Sequence, residues 1–481
     1  MPDPVLPAHP ASYKWKEITD LPQDVESLRD RELESLSEVW KRERNRLGES
    51  LVHNFNAQLA REWAIETGII EDVYTLDRGI TQTLIERGID ASYIPHEASN
   101  RDPELVARII QAHADVLEGL FAFVGGGRTL SAGYIKELHA ALLRNQETVV
   151  VFNQLGQPFE TKLEKGLYKR PPNNPMRADG TLHEYCPPEH VASEMDRLVQ
   201  LHQQHDAVLP DSAAAWLHHA FTQIHPFQDG NGRVARSLAS LVFIKRGFFP
   251  LVITRDDREK YISALELADQ GDLSHLVRLF AQVQKRALTK AISKAVDVKP
   301  VASVEEALAA TRDMLVDLGR IIPAQYLAAK QTAGVLVNQT LQRLEAVATT
   351  LSNDITRVNS AFSFQAANLG SAPVNDISTI AKKLQYDPNT NDFHRSIFLS
   401  LTHNSVAGKI VISFHGVGPA FRGLLVAVGY FQIGEEPPVP VCDDVFRISY
   451  QEPQAEAQKR YAKWLDDCLM RGLAAWRRTL V

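Results

Sequence analysis

His225-Pro226-Phe227-Gln228-Asp229-Gly230-Asn231-Gly232-Arg233-Val234-Ala235-Arg236 is the stretch on which the reading of this 481-residue chain turns. Before it, Ala214, Leu217, Phe221 and Ile224 recur at helical spacing, and Asp211 is placed to cap the helix they form. After it, Val234, Leu238, Leu241 and Val242 lay out a second apolar face. The string is therefore a loop between two anchored helices. Gly230 and Gly232 allow positive φ and close backbone approach, so successive N–H groups at the second helix's start can converge on an anion. Arg233 and Arg236, on one helical face, add fixed positive charge that can reach a polyphosphate. Asp229 offers the hard carboxylate oxygen that Mg²⁺ prefers when phosphates complete its shell. His225 is the one group of the string able to act as a base near neutral pH.

The surrounding chain reads as mainly helical up to about residue 300. Helix formers dominate from Ser27 to about Gly88, and Pro103 to Val124 continues the pattern until Gly125-Gly126-Gly127 breaks it. Ser131 can cap the next helix. Between Thr148 and Pro188 the β-branched Val149, Val150 and Val151 and the turn-rich Pro171-Pro172-Asn173-Asn174 predict a short hairpin and an exposed loop. Helical periodicity returns at Pro188–His202, Asp211–Ile224 and Asn231–Arg246. Around Pro300 a linker is expected, followed by a helix capped by Ser303 and Glu306. One or two helices are expected from Pro323 to about Asp354, and strands at Lys409–Phe414, Gly423–Ile433 and Val445–Tyr450. A terminal amphipathic helix carries Tyr461, Leu465, Cys468, Leu469, Leu473, Trp476 and Leu480 on its apolar side.

Composition narrows the classes. With 52 Lys and Arg against 59 Asp and Glu the net charge is −7, which excludes a basic nucleic-acid coat, and no direct nucleic-acid binding is expected. No apolar run approaches the roughly 20 residues of a membrane helix, so no membrane partner is expected. The start, Met1-Pro2-Asp3-Pro4, lacks the basic and apolar regions of a secretory signal. Cys186, Cys442 and Cys468 fit neither a zinc site nor a disulfide framework, so the expected compartment is a reducing cytoplasm. His218 and His219 diverge on a helix and read as packing or capping groups, and Gly416-Val417-Gly418 reads as a turn.

At every specified position the twelve-residue string matches the signature His-Pro-Phe-x-(Asp or Glu)-Gly-Asn-Gly-Arg-x-x-Arg, and the chain resembles the Fic (filamentation induced by cAMP) family of protein adenylyltransferases. Gly166-Leu167-Tyr168 and Tyr185-Cys186-Pro187-Pro188 resemble strands bounding that family's target-binding flap. Asp256 to Val277, with Tyr261, resembles its closing helices, and the likeness spans roughly residues 50 to 290. The resemblance implies a mainly α fold, a Fic helical core with a β-hairpin flap, plus a C-terminal α+β accessory domain. The expected division is residues 1–100 as an N-terminal helical region, 101–298 as the catalytic core and 299–481 as the accessory domain.

The implied activity is AMPylation in a bacterial-type cytoplasmic protein: ATP and Mg²⁺ bind the loop, and AMP passes to a Ser, Thr or Tyr hydroxyl of a protein target. By position His225 is the base and Asp229 the Mg²⁺ ligand. Gly230, Asn231 and Gly232 form the anion hole, Arg233 and Arg236 hold the β- and γ-phosphates, and Tyr261 contacts adenine. Both glycines are kept, unlike the Doc-type relatives that phosphorylate. Many members carry an inhibitory helix, (Ser or Thr)-x-x-x-Glu-(Gly or Asn), whose glutamate pairs with the second motif arginine. Thr67 and Glu71 fit it, while Asp72 departs from the Gly or Asn expected there. Glu66 is the rival, and at about 100° per residue the two glutamates point roughly 140° apart, so only one can face Arg236. Removal of AMP, transfer of another nucleotide such as UMP, and a non-catalytic binding module are the alternatives; a homo-oligomer is compatible with all of them.

Overall fold

The computed structural model describes residues 13–22, 24–47, 49–152, 157–176, 180–293, 308, 312, 323–356, 359–404, 406–418, 421 and 423–480. The linker near Pro300 and the helix capped by Ser303 lie outside the described residues. Two compact units divide the chain, Met1–Asp30 with His53–Gln284, and Arg31–Val52 with Lys285–Val481.

The first unit is helical with one small hairpin. Its order is α2 (Glu49–Ile70), whose first residues precede the unit, α3 (Arg78–Arg87), α4 (Pro103–Gly125), α5 (Ala132–Leu142), β1 (Thr148–Phe152), β2 (Pro158–Lys162), α6 (Pro188–Gln203), α7 (Pro210–Ile224), α8 (Asn231–Lys245), α9 (Arg258–Asp269) and α10 (Ser274–Ser293), which runs on into the second unit. Local chemistry sets several boundaries. Asp102 accepts from Leu105 N at 3.0 Å with Pro103 in the first turn, and Ser131 accepts from Tyr134 N at 3.2 Å. Asp211 does not cap α7; Leu209 holds that position and Asp211 sits in the first turn, where the helix dipole favours its charge. α8 is buried on all sides, from Arg233 through Ile244, with α4, α5 and α7 packed against it. A helix so enclosed cannot shift its N-terminus without moving its neighbours.

β1 and β2 pair antiparallel, Val150 opposite Glu160, and leave Val150 and Phe159 exposed. Gly166-Leu167-Tyr168 and Tyr185-Cys186-Pro187-Pro188, expected to be strands bounding a flap, are not strands: residues 166–168 and 185–187 are irregular backbone and Pro188 opens α6. Their prolines and glycine withdraw donors and extended geometry from any ladder.

The second unit begins with α1 (Arg31–Leu47) and continues with α11 (Pro323–Leu351), β3 (Phe362–Gly370), α12 (Val374–Lys383), β4 (Pro388–His403), β5 (Val406–Val417), β6 (Leu424–Ile433), β7 (Val439–Pro440), β8 (Phe446–Ser449) and α13 (Gln454–Arg478). Its antiparallel sheet runs β3-β4-β5-β6-β7, with β8 also on β6. Leu336 and Leu344 of α11 and Tyr461, Leu465 and Trp476 of α13 share one core with Ile397, Leu399, Ile412 and Phe414 of the sheet. β5, β6 and β8 lie where strands were expected. β3, α12 and β4 were not foreseen; β4 begins with Pro388 and Asn389 paired to Val417 and Gly416 of β5, and after a register shift the ladder resumes at His394.

Candidate active site

α7 stops at Ile224 because His225 takes the left-handed conformation, φ 49° and ψ 58°, while still donating its N–H to Phe221 O at 2.9 Å. The loop that follows is tied by one side chain. Asn231 Oδ1 accepts from Phe227 N at 2.9 Å and its Nδ2 donates to Phe227 O at 2.7 Å. The amide of Asn231 is thus spent on loop geometry, and its contribution to an anion hole falls to the backbone. Gly230 is left-handed at φ 76°, and an added Cβ would lie 2.6 Å from Leu143 Cδ1, so only glycine fits.

His225 stacks on Tyr185, ring centroids 3.7 Å apart. Burial, then the charge of Lys169, push its pKa down to about 3, against the opposing pull of the Thr222 backbone and Asp229. The imidazole is therefore neutral at physiological pH, the form a base requires. Asp229 Oδ1 accepts from Gly230 N at 2.6 Å, and Oδ2 from Gln146 Nε2 at 2.6 Å and Arg233 Nη2 at 3.3 Å. Burial alone would raise the Asp229 pKa, but Arg233, Gln146 and Gly230 outweigh it and hold the carboxyl low. His139 donates to Asp229 O at 3.0 Å while its Nδ1 accepts from Gly166 N.

Arg233 is 2% exposed, and its Nη2 also donates to Gln146 Oε1 at 3.1 Å. Its Nε is buried with no partner among the described residues. Arg236 is 1% exposed and is gripped by α2: Nε donates to Thr67 Oγ1 at 2.8 Å, Nη2 to Thr67 O at 3.1 Å, and Nη1 to Glu71 Oε1 at 2.8 Å. The Glu71 carboxylate also lies against Gly232, where a Cβ would meet Oε1 at 2.2 Å. Glu66 faces elsewhere. It accepts from Arg255 N and Nη2, each at 2.8 Å, and is buried there.

The Asp72 departure has a geometric reading. α2 ends with Asp72 N donating to Ile69 O and Val73 N to Gly68 O, the paired bonds of a Schellman close, with Asp72 at φ 53°. That position favours Gly or Asn because it is left-handed, and Asp tolerates it at modest cost. Tyr261, expected at adenine, is 3% exposed, with its hydroxyl 2.8 Å from His218 Nε2. It presents no open ring face to a base here, and it lies against Arg236, which holds its hydroxyl partly against the upward push of burial. His219 pairs with Asp269 at 3.1 Å.

Gln146 and Lys169 escaped the sequence reading. Neither sits in a recognisable local pattern, although Gln146 lies two residues before the first residue of the hairpin.

A family model described as Fic/DOC family matches residues 129–243. Over 101 residues the chain is 46% identical to a Fido domain-containing protein of Dictyostelium discoideum, covering 19% of this chain and 70% of that protein. It is 37% identical over 89 residues to the protein adenylyltransferase Fic of Drosophila melanogaster, 18% of each chain, so it spans less than a fifth of that relative's length. Among solved structures, a Fic domain containing signaling protein from Bacteroides thetaiotaomicron aligns with TM-score 0.43 and 24% identity, over 54% of this chain and 95% of that one.

Proposed function

The chain belongs to the Fic/DOC family, and on that premise we propose that it is a protein adenylyltransferase that moves AMP from ATP to a Ser, Thr or Tyr hydroxyl of a protein. The carrying observation is the carboxylate of Glu71 seated on Gly232 and bonded to Arg236: an anion of the chain's own already lies in the cradle. A polyphosphate suits the same groups. The Nε of buried Arg233, without a partner among the described residues, is a donor suited to an acceptor, and Gly232 leaves space that any side chain would fill. Asp229, ionised and close to Arg233, suits Mg²⁺, which when bound would neutralise phosphate charge.

In the reaction His225 accepts the proton of the target hydroxyl, whose oxygen forms a bond to the α-phosphorus. The bond from that phosphorus to its bridging oxygen breaks, and pyrophosphate leaves. Backbone N–H groups of Asn231 and Gly232 face the developing charge, Gly230 N being held on Asp229 Oδ1, while Arg233 faces the β-phosphate and Arg236 the γ-phosphate. Catalysis of this kind rests on positioning and charge stabilisation rather than covalent chemistry. Glu71 acts as an inhibitor in this scheme, since its carboxylate both fills the γ-phosphate position and neutralises its guanidinium.

The test is transfer of label from α-labelled, but not γ-labelled, ATP to proteins of a lysate in the presence of Mg²⁺. His225→Ala should abolish transfer while ATP still binds, because the arginines and the cradle remain. If the alanine variant labels as fast as the parent, His225 is not the base. A labelled-nucleotide panel and release of AMP from a modified target separate UMP transfer and AMP removal, and no label from any nucleotide would favour a binding module.

A further inference from the structure

We propose that Lys169 is the positioning residue for His225, locking the left-handed turn that carries the imidazole. The inference rests on the reading of His225 as the base. A histidine at φ 49° holds a conformation that its Cβ disfavours, and such a residue stays put only where its surroundings fix it. Lys169 engages the peptide groups on both sides. Its backbone N donates to Pro226 O at 2.8 Å, and its Nζ lies 3.5 Å from Ile224 O. The Ile224 carbonyl is one of the last of α7, where the helix has run out of N–H donors and its dipole favours a cation.

The grip extends through Asn173. Its Oδ1 accepts from Lys169 Nζ at 2.8 Å, and its Nδ2 donates to Phe227 O at 2.8 Å. One lysine and one asparagine thereby cover the carbonyls of residues 224, 226 and 227. The ammonium also lies 5.7 Å from the centroid of the Tyr185 ring, the ring that stacks on His225.

Lys169 is 5% exposed, and no carboxylate among the described residues pairs with it. A buried ammonium without a counter-ion is costly, so its place beside the base calls for a role other than packing. Burial lowers its pKa to about 8, with the Cys186 thiol opposing, and it stays mostly charged at neutral pH. The charged and titratable groups facing His225 are Lys169 and His183, which disfavour imidazolium, and Asp229, which favours it. Losing the lysine charge therefore raises the pH at which His225 takes up a proton.

The experiment uses the full chain, its Lys169→Met and Lys169→Arg variants, and His225→Ala. Histidine-labelled protein is titrated by NMR, with the His225 signal assigned as the one missing from His225→Ala, and transfer from α-labelled ATP is followed from pH 5 to 9. Lys169→Met should cut transfer by about tenfold or more at unchanged ATP affinity and move the His225 midpoint up by about 1 pH unit. Lys169→Arg should return both towards the parent. The proposal is overturned if Lys169→Met keeps the parent midpoint and rate, or if Lys169→Arg titrates no closer to the parent than Lys169→Met does. Should Lys169→Met not fold, the Lys169→Arg midpoint decides alone, a parent-like value supporting the proposal and a raised one overturning it. Full transfer by His225→Ala would sink the base reading instead, a result distinct from a Lys169 failure in which His225→Ala is dead and Lys169→Met is normal.

Discussion

Gln146 donates to Asp229 and accepts from Arg233, so a neutral amide bridges the carboxylate and guanidinium of the cradle. Hydrogen bonds to charged groups are worth about 1.5–3 kcal/mol each, enough to fix the orientation of the Asp229 carboxylate. Asp229→Ala should lower transfer by about a hundredfold and flatten its dependence on Mg²⁺, since the metal would lose its protein carboxylate. Gln146→Leu should keep that dependence and need severalfold more Mg²⁺, because Asp229 persists without its orientation. Transfer rates across a Mg²⁺ titration check both, and identical curves for Asp229→Ala and the parent would remove Asp229 from the metal role. His225, Asp229 and the arginines were legible in the sequence because one twelve-residue stretch, a loop and the first turns of α8, carries them all. Gln146 was not, being 83 positions from Asp229.

On the scale of a helix, the end of α2 shows how periodicity becomes chemistry. Thr67 in the last turn of α2 and Glu71, the residue just past its end, are four residues apart in nearly helical register, and both close on Arg236. Glu66, turned about 140° away, meets Arg255. Glu71→Gly should raise automodification by about tenfold or more, as it frees both the cradle and the guanidinium. Adding Arg236→Ala should erase the gain. Glu66→Gly breaks a buried pair, a loss of about 3–5 kcal/mol, so its main effect should be a lower melting temperature and only a small rise in transfer. Rates and thermal melts of the variants together decide. If Glu71→Gly labels at the parent level while Glu66→Gly rises, the inhibitory register lies five residues earlier.

At the scale of the whole chain, α1 belongs with residues 285–481. Glu32 of α1 is buried, and the charges of Lys285, Arg460 and Arg447 hold its carboxyl down to about 2 although burial works the other way. Leu33, Leu36, Val39 and Trp40 give α1 a buried apolar face. The linker expected from the sequence around Pro300, outside the described residues, would make a fragment ending at about residue 298 a natural cut. Such a fragment would keep α1 and Lys285 but lose Arg447 and Arg460 together with most of the unit that α1 belongs to. It should therefore aggregate or melt well below the full chain, as sedimentation and calorimetry would register; a soluble monomer with full automodification would show that α1 needs no partner from the C-terminal part.

The sequence by itself determined the cradle, its flanking helices and the register that sets Glu71, at the end of α2, on the side of Thr67. Those features depend on spacing along one loop or one helix, and 3.6 residues per turn turns spacing into direction. Tertiary structure alone decided that Gln146 joins Asp229 to Arg233, that Lys169 grips both sides of His225, that Tyr261 is turned inward to His218, and that Pro388–His403 is a strand. A strand takes its hydrogen bonds from a neighbouring strand, and a buried charge takes its partners from whatever the fold brings within a few ångströms, neither of which is encoded in local spacing.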